Sequence, residues 1–240
     1  MKIKQVGWKK TVLSKLRGLW ATISTGIILP LIILSIYIFR PINRPFRKTS
    51  KIFFFINGIK IERIGEFDKD AKILVLNHQG MMDIAYLEAY YPWDICWVAK
   101  KELGDIFLYG HALKAPKMIL IDRDDKKSLI YLLKEAKKKL NEGRILAIFP
   151  EGTRSKGGEN LLPFKNGAKI LIEKYNLKIQ PIVLVNTRNL FDTSKLEIRS
   201  NKAKAICMDA FIPDFTNRDW YEKLRYDMQK TYTKYYNEIN

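Results

Sequence analysis

The chain has 240 residues, of which 47% are hydrophobic, enough for one α/β domain with an added segment or for two small domains. Two cysteines far apart in apolar surroundings and two histidines, His78 and His111, exclude a disulfide framework, a cysteine zinc site and a histidine metal cluster. The formal net charge of +18 indicates an anionic partner, such as nucleic acid, acidic lipid or a phosphorylated substrate.

The N terminus combines basic and apolar residues. Residues 1–18 carry six Lys or Arg side chains between apolar residues at helical spacing, and residues 19–39 carry no charge. Pro30 and Gly26 interrupt the apolar run, and basic residues, including Arg17 and Arg40, flank it on both sides. Because a spanning helix usually shows a basic bias on one side, this pattern favours a re-entrant pair of helices seated in one leaflet. A spanning helix and a signal peptide are the alternatives.

The remainder of the chain is predicted to alternate strands and helices, which indicates an α/β fold with a mostly parallel sheet flanked by helices. The predicted domain division is a membrane-associating two-helix motif at residues 1–48 and an α/β domain at residues 49–240. Strands are predicted at residues 52–56, 59–64 (after an Asn57-Gly58 hairpin), 73–76, 94–99, 118–121, 145–149 and 179–186, with edge strands at 196–208. Helices are predicted at residues 84–91, 102–109, 126–141, 167–175 and 218–239.

A His and an Asp lie at the junction between the buried strand 73–76 and the helix that follows it. His78 belongs to the turn and Asp83 to the first helical turn, so the chain can fold back and pair the two side chains. A carboxylate that orients an imidazole and stabilises its cation suits general-base catalysis. The alternative is that Asp83 complements the helix dipole and His78 is an ordinary turn residue.

Further charged residues follow other predicted strands. Arg123 comes after strand 118–121, and Glu151 and Arg154 come after strand 145–149. The carboxyl ends of parallel strands share one edge of a sheet, so these residues are expected to converge on His78. Two arginines there indicate an anionic substrate, most simply a phosphate, with Lys101 and Lys165 as additional candidates.

Four segments in this order resemble the four sequence motifs of the glycerolipid acyltransferases. They are residues 77–83 (His, four residues, Asp), residues 118–123, residues 149–155 (Phe-Pro-Glu-Gly-Thr-Arg-Ser) and the Pro-containing strand at residues 179–183. The resemblance covers about residues 70–190. Gly80 stands where the family usually has Ser, and Lys117 stands where a small residue is common.

The resemblance implies a catalytic mechanism and a set of substrate contacts. His78 is the general base that deprotonates a glycerol hydroxyl, and Asp83 orients it. Arg123 and Arg154 hold a phosphate, Gly152 and Thr153 are further phosphate- or glycerol-binding residues, and Lys101 is a weaker candidate. Glu151 binds the glycerol hydroxyl or braces the arginines. The implied donor is an acyl-carrier-protein or coenzyme A thioester, with no metal and no cofactor.

Size, basic N terminus and phosphate pocket are together similar to the bacterial members that acylate 1-acylglycerol 3-phosphate to phosphatidic acid. The implied location is the cytoplasmic face of the cell membrane, with a monotopic N terminus. Acyltransferases of glycerol 3-phosphate or of other lysolipids are alternatives from the same family. From other classes, a basic membrane-attached nucleic-acid-binding protein would explain the charge and a membrane scaffold would explain residues 1–51. Neither explains a His-Asp pair beside a carboxylate-arginine motif.

Overall fold

The computed structural model describes residues 8–122, 127–155, 157–200 and 202–239. In these residues seven strands form one sheet flanked by helices. The strands are β1 (Lys60–Ile64), β2 (Ile73–Leu76), β3 (Ile95–Lys100), β4 (Ile119–Ile121), β5 (Ile145–Ile148), β6 (Ile179–Val185) and β7 (Lys202–Cys207). The α-helices are α1 (Trp8–Ile38), α2 (Arg44–Arg47), α3 (Lys51–Ile56), α4 (Met81–Tyr90), α5 (Tyr109–Lys114), α6 (Ser128–Asn141), α7 (Asn166–Tyr175), α8 (Thr187–Leu190) and α9 (Trp220–Ile239).

The strand order in the sheet is β1-β7-β6-β2-β5-β3-β4. Strands β6, β2, β5, β3 and β4 are parallel to one another. Strand β7 pairs antiparallel with β6 and parallel with β1. The prediction of an α/β fold with a mostly parallel sheet is confirmed. Strands β2, β5 and β6 are buried along their whole length, which explains their continuous apolar sequences.

Helix α1 is a single helix of 31 residues that continues through Pro30, so the predicted break at this proline is wrong. Packing on both sides of Pro30 explains the difference. Ala21 and Ser24 before it, and Ile33 and Ile36 after it, are all buried. Contacts along both halves therefore outweigh the roughly 3 kcal/mol that an interior proline costs a helix. By length and composition α1 could cross a membrane, which alone is weak evidence that it does.

Residues 52–56 form helix α3 and not the predicted strand, and Asn57-Gly58 ends this helix instead of turning a hairpin. Two neighbouring phenylalanines show why. Phe53 and Phe54 are both buried, and Phe54 contacts Tyr90 of α4 edge to face. Consecutive side chains of a strand point to opposite faces, whereas consecutive side chains of a helix can share one buried side.

Two other predictions need correction. The predicted helix at residues 102–109 is instead a 3₁₀ helix at Lys101–Asp105, and a second helix, α5, begins at Tyr109. The sequence patterns did not predict α5. Gly104 and Gly110 allow this arrangement, because a Cβ at Gly110 would lie 2.0 Å from the Gly104 carbonyl oxygen. The predicted edge strands at residues 196–208 are one strand, β7, which lies inside the sheet between β1 and β6.

A buried ion cluster joins the N-terminal helices to the α/β part. The Arg47 guanidinium of α2 contacts Glu88 of α4 and Asp94 at 2.6 Å each, and Arg44 also contacts Glu88 at 2.6 Å. Burial raises the pKa of Glu88, but Arg47 and Arg44 together hold it below its ordinary value. Glu88 therefore stays ionised and fixes α2 in place. The division between residues 48 and 49 remains a prediction, and it falls within this run of short helices.

Candidate active site

The site lies where three neighbouring strands of the sheet end. Strand β2 lies between β5 and β6, and all three are parallel. The segment with His78 and Asp83 follows β2, the segment with Glu151 follows β5, and Thr187 follows β6. The expected convergence of strand ends is therefore present, and it is tightest around the central strand.

Asp83 is fully buried in the first turn of α4. Its Oδ2 atom accepts a hydrogen bond from His78 Nδ1, with the two atoms 2.8 Å apart. The same oxygen accepts the backbone N–H groups of Gln79 at 2.6 Å and Gly80 at 2.8 Å. These backbone bonds close the turn between β2 and α4 around the carboxylate. The predicted pair is thus present, with the chain folded back as expected.

The imidazole of His78 is held by its hydrogen bond to Asp83 and by ring stacking. Its ring stacks on Phe149, with centroids 3.8 Å apart, and Phe149 stacks in turn on Trp97. The His78 carbonyl accepts the Ser155 N–H at 2.7 Å. Because a carboxylate can only accept, the proton shared with Asp83 belongs to Nδ1. The other ring nitrogen, Nε2, therefore carries the lone pair that a substrate proton can reach.

Glu151 holds the backbone of His78 through a hydrogen bond. Its side chain is 2% exposed, and its Oε1 atom accepts the backbone N–H of His78 at 3.1 Å. Burial raises the pKa of this carboxyl to about 7, and the nearby charge of Asp83 adds to the shift. The structure gives Glu151 this positioning contact; the glycerol contact and the bracing of arginines remain predictions.

A pocket next to His78 contains one predicted basic residue, Arg154, and one basic residue that was not predicted, Lys100. Gly152, Thr153 and Arg154 line it together with Lys100, the last residue of β3. The Arg154 guanidinium is exposed and has no carboxylate partner in the described residues. Lys101 lies on the adjacent 3₁₀ helix and is exposed, outside the described pocket wall.

Arg123 and Lys165 are the other two basic residues that the sequence predicted for the site. Arg123 falls outside the described residues, so its placement stays a prediction. Lys165 is exposed at the start of α7. Lys165 and Gly152 both line a neighbouring groove. The groove and the pocket share Val98, Phe149 and Gly152, so Lys165 lies beside the site and not in it.

Sequence reasoning missed three polar residues that hold the His-Asp pair. Thr187 donates its hydroxyl to Asp83, Gln79 accepts the Thr187 backbone N–H, and Tyr232 of α9 accepts a hydrogen bond from Gln79. Thr187 could have been found, because it follows a predicted strand at the same edge as His78. Nothing local distinguishes Tyr232 from the other tyrosines of its helix.

An apolar cavity adjoins the pocket beneath α1. Ile28, Ile32 and Ile36 of α1 form one wall, and its boundary shares Ile84, Trp97, Tyr109 and Leu113 with the pocket of His78. The two spaces are therefore neighbours with a common apolar wall. A molecule with a polar head beside Arg154 could place a hydrocarbon chain along this wall.

The arrangement can accept a proton at His78 Nε2, in a pocket that also holds the Arg154 guanidinium and is lined on one side by stacked aromatic rings. These are the requirements for activating a hydroxyl group on an anionic molecule. No group of three His, Cys, Asp or Glu side chains suited to a metal ion occurs in the described ranges.

Comparison with known proteins agrees with this geometry. A family model described as Acyltransferase matches residues 58–185. The 1-acyl-sn-glycerol-3-phosphate acyltransferase of Helicobacter pylori is 50% identical over 227 residues, covering 94% of this chain and 96% of that protein. The protein of the same description from Cocos nucifera is 34% identical over 70% of this chain, which spans 53% of the plant protein.

A solved structure shares the fold. The 1-acyl-sn-glycerophosphate (LPA) acyltransferase, PlsC, from Thermotoga maritima superposes with a TM-score of 0.73 at 18% sequence identity. The match covers 96% of this chain and 97% of that one.

Glu151→Gln should change how stability depends on pH. Between its ordinary pKa of 4.5 and its native value of about 7, the native state holds a proton that the unfolded state releases. The free energy of unfolding of the wild type therefore falls as pH rises through this window, by at most about 3 kcal/mol from this group. Glutamine keeps an oxygen acceptor for the His78 N–H and removes the pH-dependent contribution.

Chemical denaturation at pH 5 and pH 7.5 measures the effect. The stability of Glu151→Gln relative to wild type should rise with pH, whereas the exposed control Glu222→Gln should leave the difference flat. A Glu151→Gln difference that does not vary with pH would show that Glu151 ionises normally.

Proposed function

The chain belongs to the acyltransferase family, and on that premise we propose that it transfers a fatty acyl group to the sn-2 hydroxyl of 1-acylglycerol 3-phosphate. The product is phosphatidic acid, and the donor is an acyl thioester of acyl-carrier protein or coenzyme A. The observation that carries this proposal is the 2.8 Å bond between His78 and Asp83, in a pocket that also holds the exposed guanidinium of Arg154, which has no carboxylate partner among the described residues.

The reaction begins when the acceptor hydroxyl gives its proton to His78 Nε2. Asp83 stabilises the imidazolium that forms, because its Oδ2 atom already contacts Nδ1. The alkoxide oxygen attacks the thioester carbonyl, a C–O bond forms, and the C–S bond breaks. The proton held by His78 then passes to the departing thiolate. No acyl-enzyme is needed, and the protein supplies no cofactor or metal.

Arg154 binds the phosphate of the acceptor. Its guanidinium lines the same pocket as His78, is exposed, and has no carboxylate partner in the described ranges, so a phosphate can take that position. Gly152 and Thr153 complete this side of the pocket, and Arg123 is proposed as a second phosphate contact. Lys101 would contribute at longer range.

The apolar cavity beneath α1 accommodates a hydrocarbon chain. It adjoins the pocket of His78 through their shared wall, so a lipid can keep its phosphate at Arg154 and a chain among the apolar side chains. This arrangement favours a substrate with both a phosphate and an acyl chain over water-soluble glycerol 3-phosphate.

The contacts of α1 support a monotopic attachment to the membrane. Near one end, Ser14 exchanges hydrogen bonds with Ile198, and near the other end the Tyr37 hydroxyl bonds His111 at 2.8 Å. These contacts are about 35 Å apart along the helix, at 1.5 Å per residue. A bilayer core is about 30 Å thick, so a spanning α1 would draw the charged α/β part into hydrocarbon.

The opposite side of α1 presents apolar side chains to the outside. This exposed apolar surface continues onto neighbouring elements: Phe55 of α3 is 87% exposed, and Phe107, which precedes α5, is 93% exposed. Its α1 members include Leu13, Leu16, Leu19, Trp20, Ile23, Ile27, Leu31, Leu34 and Ile38. A surface of this size indicates contact with lipid.

We place the enzyme at the cytoplasmic face of the membrane, where both thioester donors are found. The net charge of +18 adds attraction to anionic lipid, and both cysteines are free thiols.

Glycerol 3-phosphate and other lysolipids are the competing acceptors. An assay of the wild type with a panel of acceptors distinguishes these from 1-acylglycerol 3-phosphate.

His78→Ala should abolish acyl transfer, because loss of a general base costs about 10²–10⁴ in rate. The assay uses radiolabelled acyl-carrier-protein and coenzyme A thioesters with lysophosphatidic acid, glycerol 3-phosphate and lysophosphatidylcholine in detergent micelles. We expect the wild type to prefer lysophosphatidic acid and His111→Ala to stay active.

If the wild type prefers glycerol 3-phosphate, the proposed acceptor is wrong, but the proposed reaction, acyl transfer to a glycerol hydroxyl, still holds. An active His78→Ala enzyme, or a wild type that transfers no acyl group to any acceptor, would contradict the proposal.

Arg154→Ala should lower kcat/KM for lysophosphatidic acid by about one to two decades, since it removes a charge-assisted bond to phosphate. The KM for the thioester should change little. Monoacylglycerol, which lacks the phosphate, is the matched acceptor. An equal loss with monoacylglycerol would show that Arg154 does not bind phosphate.

Phe55→Ser and Phe107→Ser should each weaken binding to phosphatidylglycerol vesicles by about tenfold, because each removes a large apolar side chain from the lipid contact. Ile130→Ser is the matched control, since Ile130 is 71% exposed on α6, which packs against β4, β5 and α7. Sedimentation with vesicles measures the affinity. Equal weakening in all three variants would contradict this membrane-facing surface.

A further inference from the structure

Thr187 occupies a position at the site that the proposed mechanism has not yet used. It follows β6 as the first residue of α8 and is fully buried. Its Oγ1 atom donates a hydrogen bond to Asp83 Oδ1 at 2.5 Å. A hydroxyl that donates to an ionised carboxylate at this distance makes a strong, charge-assisted bond.

The donors around Asp83 are divided unequally between its two oxygens. Oδ2 accepts His78 Nδ1 and the backbone N–H groups of Gln79 and Gly80. Oδ1 accepts the hydroxyl of Thr187, its one hydrogen-bond donor in the described part of the chain. Thr187 therefore opposes rotation of the carboxyl group about its Cβ–Cγ bond. That rotation would move Oδ2 away from the imidazole.

Thr187 is itself fixed by residues from distant parts of the chain. Its backbone N–H donates to Gln79 Oε1 at 2.9 Å, and the Gln79 amide donates to the Tyr232 hydroxyl at 2.7 Å. Tyr232 donates to the carbonyl of Gly158 at 2.8 Å. The hydroxyl of Thr187 is thus aimed at Asp83 by the ends of β2 and β6 together with α9.

We propose that Thr187 is a positioning residue for the reaction, which holds Asp83 in the orientation that lets His78 act as the base. This inference rests on the proposed function, since it assigns Thr187 a part in general-base catalysis.

Thr187→Val tests the proposal, because valine keeps the shape of threonine and lacks the hydroxyl. Activity is measured with lysophosphatidic acid and palmitoyl thioesters of coenzyme A and acyl-carrier protein. We expect kcat to fall about ten- to hundredfold, with the KM for lysophosphatidic acid within twofold of wild type.

Two variants separate the hydroxyl from the packing of the side chain. Thr187→Ser retains the donor and should keep kcat within about threefold of wild type. Thr49→Val removes a threonine hydroxyl that donates to the Phe46 carbonyl, and should leave kcat and the KM for lysophosphatidic acid unchanged. If Thr187→Val does not fold, judged by thermal unfolding, Thr187→Cys replaces it, because a thiol is a weak donor of similar size to serine.

The outcomes distinguish this inference from the proposed function. Wild-type kcat in folded Thr187→Val, with His78→Ala inactive, would overturn the inference and leave the proposed function intact. A serine variant as impaired as the valine variant, or a cysteine variant equal to the serine one, would show that packing and not hydrogen bonding matters. An active His78→Ala enzyme would overturn both.

Discussion

A single buried negative charge determines the local structure of the site. Asp83 is removed from water, and an ionised carboxylate in that position is very costly unless donors surround it. The N–H groups of Gln79 and Gly80 reach it only if the chain turns sharply after β2. Helix α4 then begins at the one place where its first-turn carboxylate faces back to His78. The turn, the start of the helix and the orientation of the imidazole are therefore consequences of one requirement.

The N-terminal helices help to form the apolar space beside His78. One side of α1 forms a wall of this cavity, and Arg47 of α2 pairs with Glu88 in the same wall. Helix α1 thus has an apolar cavity on one side and a row of exposed apolar side chains on the other. Under the proposed function, a lipid acceptor exchanges one apolar environment for another while its phosphate remains at the polar edge of the sheet. Such a substrate would need this helix packed against the sheet and not attached by a flexible linker.

The sequence contained enough information to predict the parallel sheet and the pairing of His78 with Asp83, since buried strands and turn residues are local patterns. Contacts between distant segments decided what could not be predicted. Helix α1 passes through Pro30 because of packing along its whole length, and residues 52–56 are helical because Phe53 and Phe54 share one buried surface. Thr187 acquires its role from a carboxylate 104 residues earlier in the chain. Such a pairing becomes visible only when β2 and β6 are known to be neighbours.

Two acidic side chains near one histidine need different environments if the histidine is to act as a base. Asp83 accepts four hydrogen bonds, from His78, Gln79, Gly80 and Thr187. Glu151 is buried with fewer donors, and its pKa of about 7 means that much of the population is neutral near physiological pH. Its hydrogen bond to the His78 backbone needs an oxygen and not a charge. The carboxylate that bonds the imidazole therefore lies on the Nδ1 side of the ring. The proposed mechanism places the substrate on the Nε2 side, in the pocket that Arg154 also lines.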